Sequence, residues 1–261
     1  MGKFFDLDSP LMRGLSRMAD LVWVNLLVLI CVVPALVVFT VTLMLRLPTV
    51  PVLALTYLAA LLIGPALTGM HYILLKMVRD EEGYITRSFF KSFRENFRQS
   101  VILAAIVLAV AALVAGDVYL LTTEAMSSIP RAFRIAILVI AIYMFMIALW
   151  IFPIEARFVN TVMGTIRNAF LMAMLAFPRT LGMAAMTLVP VILYYFFGMR
   201  LFPILLMFAV SAPGYVCALL YNKTFKRFEP EAEEAPDEEF RVAEAPEDTA
   251  PAAEEEGNDA E

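Results

Sequence analysis

Residues 21–45 read LVWVNLLVLICVVPALVVFTVTLML and contain no charged side chain over 25 positions. A helix needs roughly 20 apolar residues to cross the ~30 Å hydrocarbon core of a bilayer. Similar stretches recur along the chain, and we predict about six transmembrane helices near residues 21–45, 51–77, 100–121, 135–154, 181–199 and 201–221. The sequence therefore predicts an all-α polytopic membrane helix bundle.

Composition excludes a water-soluble domain. The chain is 61% hydrophobic and 17% charged, whereas soluble domains are about 45–50% apolar and about 25% charged. The lipid bilayer is therefore the first expected partner, and no nucleic-acid partner is expected. Cys31 and Cys217 lie inside apolar stretches, where a thiol behaves as a small hydrophobe, so no disulfide framework is expected.

Lysine and arginine positions predict the orientation, since positive residues near span ends stay in the cytoplasm. With the amino terminus inside, the cytoplasmic segments hold 15 basic residues and the opposite segments hold four: Arg46, Arg131, Arg134 and Arg200. We therefore predict a multi-pass protein of the cell membrane with both termini in the cytoplasm.

Charge also divides the chain into two predicted parts, a transmembrane helical domain over residues 1–228 and an acidic tail over residues 229–261. The tail carries 15 acidic residues and one basic residue, Arg241. Such a segment buries too little apolar surface to offset its chain entropy. We predict that the tail is disordered.

Two cytoplasmic loops are long enough to fold. At helical spacing, the first loop places four phenylalanines on one arc and four cations beside it: Phe89, Phe90, Phe93, Phe97, Arg87, Lys91, Arg94 and Arg98. This pattern predicts an interfacial helix with its rings in the acyl boundary and its cations toward lipid phosphates. The second loop, residues 159–178, has a similar character. Both loops follow a span that runs inward, which is compatible with a parallel internal repeat.

Residues for catalysis are sparse. The chain has one histidine, His71, and it lacks the G-x-S-x-G, P-loop, H-E-x-x-H and C-x-x-C motifs. His71 has two interpretations: a helix-packing residue bonded to a neighbour, or a proton relay. We predict no enzyme activity, no metal site and no cofactor.

A few polar or helix-breaking residues within the spans are candidate functional positions. Asn25 predicts an interhelical hydrogen bond. Asp117, late in the third span, either reaches the outer surface or lines a cavity, and Glu155 ends the fourth span at an interfacial position beside Arg157. The segment with Gly64, Pro65 and Thr68 predicts either close helix approach or an unwound ligand-binding segment.

The first hundred residues also resemble a known family. The resemblance rests on five residues near the start, Phe4, Phe5, Asp8, Ser9 and Pro10, on Asp20 with residues 25–27 and Pro34, and on residues 64–66 with Thr68 and Tyr72. It rests above all on KMVRDEEGY at 76–84 followed by SFFKSFRENFRQ at 88–99. These residues resemble the YesL-like family of bacterial multi-pass membrane proteins, whose function is unknown. Its genes often accompany carbohydrate uptake and degradation systems, notably sugar ABC transporters.

Two functions follow as hypotheses. The first is a non-catalytic accessory or scaffold component associated with carbohydrate uptake, whose partner is a membrane transporter complex or further copies of the same chain. The second is a permease or transporter subunit in its own right, which the proline-broken spans and Asp117 favour.

Overall fold

The computed structural model describes residues 10–81, 83–121, 123 and 130–229. Contacts divide the chain into the units Met1–Lys226 and Arg227–Glu261, and the account below concerns the first unit. The predicted disorder of the tail falls on residues 230–261, which lie outside the described ones.

The described residues form helices joined by short turns, which confirms the predicted polytopic helical bundle. The helices are α1 (Pro10–Met44), α2 (Thr49–Ala60), α3 (Ile63–Val78), α4 (Ile85–Glu95), α5 (Phe97–Leu121), α6 (Arg131–Arg157), α7 (Val162–Leu175), α8 (Phe177–Phe197), α9 (Phe202–Phe208) and α10 (Ser211–Phe225). A short 3-10 turn, Gly198–Leu201, joins α8 to α9.

Five segments of the described chain are long and apolar enough to cross a membrane: Met12–Met44, Thr49–Val78, Phe97–Leu121, Arg131–Arg157 and Phe177–Phe208. The predicted boundary between the last two spans at Arg200 coincides with the 3-10 turn Gly198–Leu201, which lies inside the fifth apolar segment. The predicted span 201–221 is broken at residues 209–210. The chain returns along α8 as two short helices, α9 and α10.

Contacts between α8 and α10 establish this return. Arg179 Nη1 donates to Thr224 Oγ1 at 2.7 Å, and Cys217 Sγ lies 3.7 Å from the carbonyl oxygen of Met183. Residues near the start of α8 therefore meet residues near the end of α10, so the two helices are antiparallel. The reversal occurs at Gly198, whose φ of 56° lies in the left-handed region that glycine adopts readily.

Several helices begin or end together at what we call the basic end, which includes Arg17, Arg79 and Arg179. Arg17, near the start of α1, donates to the Met77 carbonyl and pairs with Asp80 at the end of α3. Arg79 Nε donates to Asn222 Oδ1 in α10 at 3.0 Å. The start of α1 and the end of α10 therefore lie at the same end of the bundle.

The core is concentrated toward the basic end. The buried residues of α5 are Ser100, Leu103 and Ala104, all in its first two turns. In α6, burial begins at Met146 and continues to Ala156. The remaining halves of these helices expose apolar side chains, as expected for surfaces that face lipid.

The order of elements α3–α4–α5 recurs as α6–α7–α8. In each case a span is followed by a short helix, a single residue at the bend and a second span, and the bends at Asn96 and Ala176 are 80 residues apart. Equivalent positions share burial: Ser100 and Thr180 are both fully buried. Each also bonds to the preceding span, since Ser100 Oγ lies 2.8 Å from Thr68 Oγ1 and Thr180 Oγ1 accepts from the Trp150 indole at 2.9 Å. These matches support an internal structural repeat.

Candidate functional site

Helices α9 and α10 together form what we call the last crossing, which is broken at residues 209–210. Asn25 is fully buried and lies against this break. Its side-chain oxygen accepts from the backbone amides of Val210 and Ser211 at 3.0 and 3.1 Å. Its amide nitrogen donates to the carbonyl of Leu206 at 2.8 Å. In a continuous helix, the amide of residue 210 would bond directly to the carbonyl of residue 206. The Asn25 amide is inserted between these two groups and satisfies both, so the helix breaks without leaving them unpaired.

Gly64 and Thr68 join α3 to α5. A Cβ atom on Gly64 would lie 2.3 Å from the carbonyl oxygen of Ser100 and 2.6 Å from Ala104 Cβ. Thr68 is fully buried, and its hydroxyl pairs with that of Ser100. Only residues 61–62 interrupt the helix, and Pro65 lies in the first turn of α3. This geometry is close helix approach, and the alternative of an unwound segment at residues 64–69 is wrong.

His71 contacts the fully buried Tyr221 of α10. Its Nδ1 lies 3.3 Å from the Tyr221 hydroxyl, and that hydroxyl donates to the His71 carbonyl at 3.4 Å. The two rings meet edge to face, with centroids 5.8 Å apart. These contacts fit the helix-packing interpretation of His71. The proton-relay interpretation stays a prediction.

Asp117 lies on the exposed surface of α5. A Cβ on the adjacent Gly116 would meet no atom within 4 Å. Asp117 lines neither of the two pockets described below, and its reaching the outer membrane surface stays a prediction.

Helix α4 differs from the interfacial helix that the sequence predicts. Phe89 belongs to the bundle core and is fully buried. Its ring packs against Gly69 in α3 so closely that a Cβ atom on Gly69 would lie 3.2 Å from it. The expectation that Phe89 lies in the acyl boundary is therefore wrong, because Gly69 leaves room for the ring to pack inward. Phe93 is half-buried, whereas Phe90 and Phe97 are 39% and 41% exposed.

The cationic side of α4 lines an open groove of about 1070 Å³ together with Trp23 of α1. Arg87, Lys91 and Arg94 all contribute to its lining, and Arg98 is exposed at the start of α5. The Trp23 indole donates to Thr86 Oγ1 at 2.8 Å. Sequence reasoning did not single out Trp23, although an indole near the start of a span is typical of the membrane interface.

A smaller pocket of about 200 Å³, which we call the polar pocket, lies at the basic end. Its lining comes from α3, from the α4–α5 bend and from the end of α6 with the following turn: Tyr72, Ser92, Glu95, Asn96, Gln99, Glu155, Ala156, Arg157, Phe158, Val159 and Asn160. It therefore lies where the two repeated units meet.

Glu155 is the charged residue at the base of the polar pocket. It is only 5% exposed, so the carboxylate that the sequence places at an interfacial position beside Arg157 is packed between helices. Its Oε2 accepts from Gln99 Nε2 at 2.6 Å and from Thr165 Oγ1 at 3.3 Å. Among the described residues, no lysine or arginine forms an ion pair with this carboxylate. A glutamate two residues after Pro153 in an otherwise apolar span is the sequence signal that could have indicated this burial.

The fold and these sites define a polytopic helical membrane protein. Residues 19–118 match the family described as "Protein of unknown function, DUF624". The match extends from α1 to the last turn of α5 and supports a family of unknown function, whereas the finer assignment to the YesL-like family stays a prediction. No curated protein and no solved structure is detectably similar to this chain.

Proposed function

We propose that this protein is a non-catalytic accessory or scaffold subunit of a membrane complex associated with carbohydrate uptake. The observation that carries the scaffold role is the network of side-chain contacts at the basic end. Arg17, Arg79 and Arg179 each bond to a residue on another helix. The carbohydrate association rests on the resemblance to the YesL-like family.

The network at the basic end suits a docking surface. It joins α1, α3, α8 and α10 through side chains. Helix α4 packs on α3 through Phe89, so the position of its exposed cations is fixed by the same bundle. Preorganised charged groups favour association because little conformational entropy is lost on binding. A partner with an acidic cytoplasmic surface would be complementary to this face.

Co-purification tests the proposal. The tagged full-length protein, expressed in its own host during growth on an inducing sugar, is isolated in mild detergent, and co-purifying membrane proteins are quantified by mass spectrometry. We expect a stoichiometric partner that is reduced at least several-fold by the double variant Lys91→Gln, Arg94→Gln. Both side chains are exposed, so this variant should melt like the wild type.

The matched control is Arg131→Gln, which removes an exposed charge. Arg131 is the first residue of α6 and lies at the opposite end of that helix from its buried part near the basic end. This variant should retain the partner fully. Absence of any stoichiometric partner under inducing growth would contradict the scaffold role.

The broken last crossing favours a second candidate, a permease. Discontinuous helices and polar sites at repeat interfaces are common in transporters, and this chain has both a break at residues 209–210 and the polar pocket. Uptake of labelled sugars into proteoliposomes tests this function. A permease should transport a sugar, and Glu155→Gln should reduce the rate. No uptake of any sugar tested would count against it.

A further inference from the structure

Helix α4 presents positive charge to the open groove of about 1070 Å³ that it forms with α1, which we call the α1–α4 groove. Arg87, Lys91 and Arg94 line this groove, and the Lys91 ammonium lies 4.0 Å from Glu95 Oε1. Neither Arg87 nor Arg94 has a side-chain hydrogen bond or ion pair among the described residues. Three cations against the one carboxylate of Glu95 leave an excess of positive charge, which attracts an anion.

The α1–α4 groove lies where the uncharged stretch of α1 begins. Trp23 is the third residue of the stretch 21–45, and its indole donates to Thr86 Oγ1 at 2.8 Å, which ties α1 to the first turn of α4. Tryptophan is enriched at the boundary between lipid headgroups and hydrocarbon. We therefore expect the cations of α4 to lie at the depth of the headgroups.

An apolar face leads from the groove along α1. Trp23 is 49% exposed, and the residues that follow it at intervals of three and four are also exposed: Leu26, Ile30, Val33 and Val37. Positions at this spacing lie on one face of a helix. The exposed ring of Phe90 adds an apolar group to the groove lining. A ligand with an anionic head and an apolar tail matches both features, whereas a soluble anion matches only the cations.

We propose that the α1–α4 groove binds the headgroup of an anionic phospholipid, with its phosphate against Arg87 and an acyl chain along the exposed face of α1 that begins at Trp23. A guanidinium group binds phosphate through two parallel hydrogen bonds, and basic pockets beside membrane spans are typical sites for anionic headgroups. The groove is also large enough, since ligand sites commonly measure about 300–1,000 Å³. This proposal goes beyond the scaffold role and does not depend on it.

Quenching by brominated lipids tests the proposal, because the chain has two tryptophans, of which Trp23 lines the groove and Trp150 is fully buried. The purified full-length protein is reconstituted into phosphatidylcholine vesicles with a minor fraction of lipid brominated on its acyl chains, either phosphatidylglycerol or phosphatidylcholine. At equal mole fraction, brominated phosphatidylglycerol should quench the fluorescence at least twofold more strongly. This difference should disappear in Trp23→Phe, which leaves Trp150 as the reporter.

Charge variants locate the bound headgroup. Arg87→Gln should lower the preference for phosphatidylglycerol over phosphatidylcholine about fivefold, which corresponds to the ~1 kcal/mol that one cation contributes near an anionic membrane surface. Arg87→Lys keeps the charge and should retain most of the preference. The matched control is Arg98→Gln, an exposed cation at the start of α5 that does not line the groove, and it should behave like the wild type.

Several results would overturn the proposal: equal quenching by the two brominated lipids, a difference that persists in Trp23→Phe, or an equal loss of preference in Arg98→Gln and Arg87→Gln. Inorganic phosphate in the buffer should not abolish the preference, and if it does, the groove is a site for a soluble anion. The vesicles contain no partner protein, so a failure here leaves the scaffold role intact. Loss of the lipid preference with retained co-purification would assign the groove to an acidic protein partner instead.

Discussion

Replacing Asn25 by leucine should destabilise the bundle strongly, although the two side chains have the same branching and the same number of heavy atoms. The substitution removes three hydrogen bonds between α1 and the last crossing, to Leu206, Val210 and Ser211. Interhelical hydrogen bonds in membranes contribute about 0.6 kcal/mol on average and up to ~1.7 kcal/mol. Buried backbone groups left without a partner cost about 1–3 kcal/mol. We therefore expect a loss of about 2–4 kcal/mol.

The assay is reversible unfolding in mixed detergent micelles, followed by tryptophan fluorescence. Thr40→Val is the matched control on the same helix, because Thr40 is exposed and its hydroxyl bonds only to the Leu36 carbonyl. This control should change the free energy of unfolding by less than ~0.5 kcal/mol. Hydrogen exchange adds a local readout, since the amides of Val210 and Ser211 should exchange faster in Asn25→Leu.

One result would refute the reasoning. If Asn25→Leu unfolds at the same denaturant concentration as the wild type, the last crossing can close into a regular helix in which Val210 bonds directly to Leu206. The break would then be a consequence of neighbouring packing, and Asn25 would not be its cause.

Two further substitutions test the packing of α3. Gly64→Ala should lower the free energy of unfolding by about 1–3 kcal/mol, because the new methyl group would overlap the Ser100 carbonyl. The control Gly116→Ala lies in open space on α5 and should instead stabilise by about 0.5–1 kcal/mol. Equal effects of the two substitutions would contradict the close approach of α3 and α5. Phe89→Ala should cost about 3–5 kcal/mol in the same unfolding assay, whereas Phe90→Ala on the exposed side should cost about 1 kcal/mol. If Phe90→Ala cost more than Phe89→Ala, the inward packing of Phe89 would be contradicted.

Helical periodicity could not predict whether the phenylalanines of α4 face the lipid or the protein core. Spacing places four phenylalanines on one arc, and such an arc can face lipid or protein equally well. The decision depends on Gly69, whose missing side chain opens space for the Phe89 ring on a different helix. That complementarity exists only once α3 and α4 are packed together.

Burial of Glu155 was likewise outside the reach of local sequence. A carboxylate near the end of a span is ordinarily solvated, and Arg157 lies two residues away as an apparent partner. The structure pairs Glu155 with Gln99 and Thr165 instead, and these residues belong to two other helices. Residues that are far apart in sequence thus determine whether the charge is exposed.

The sequence by itself determined the membrane-spanning helical class, because uncharged stretches of bilayer length have no other stable environment. It also determined the approximate limits of the first four spans. Only the tertiary structure decided the broken last crossing, the inward face of α4 and the polar pocket. Each of these depends on hydrogen bonds or steric fit between distant helices, and no local pattern of hydrophobicity records such contacts.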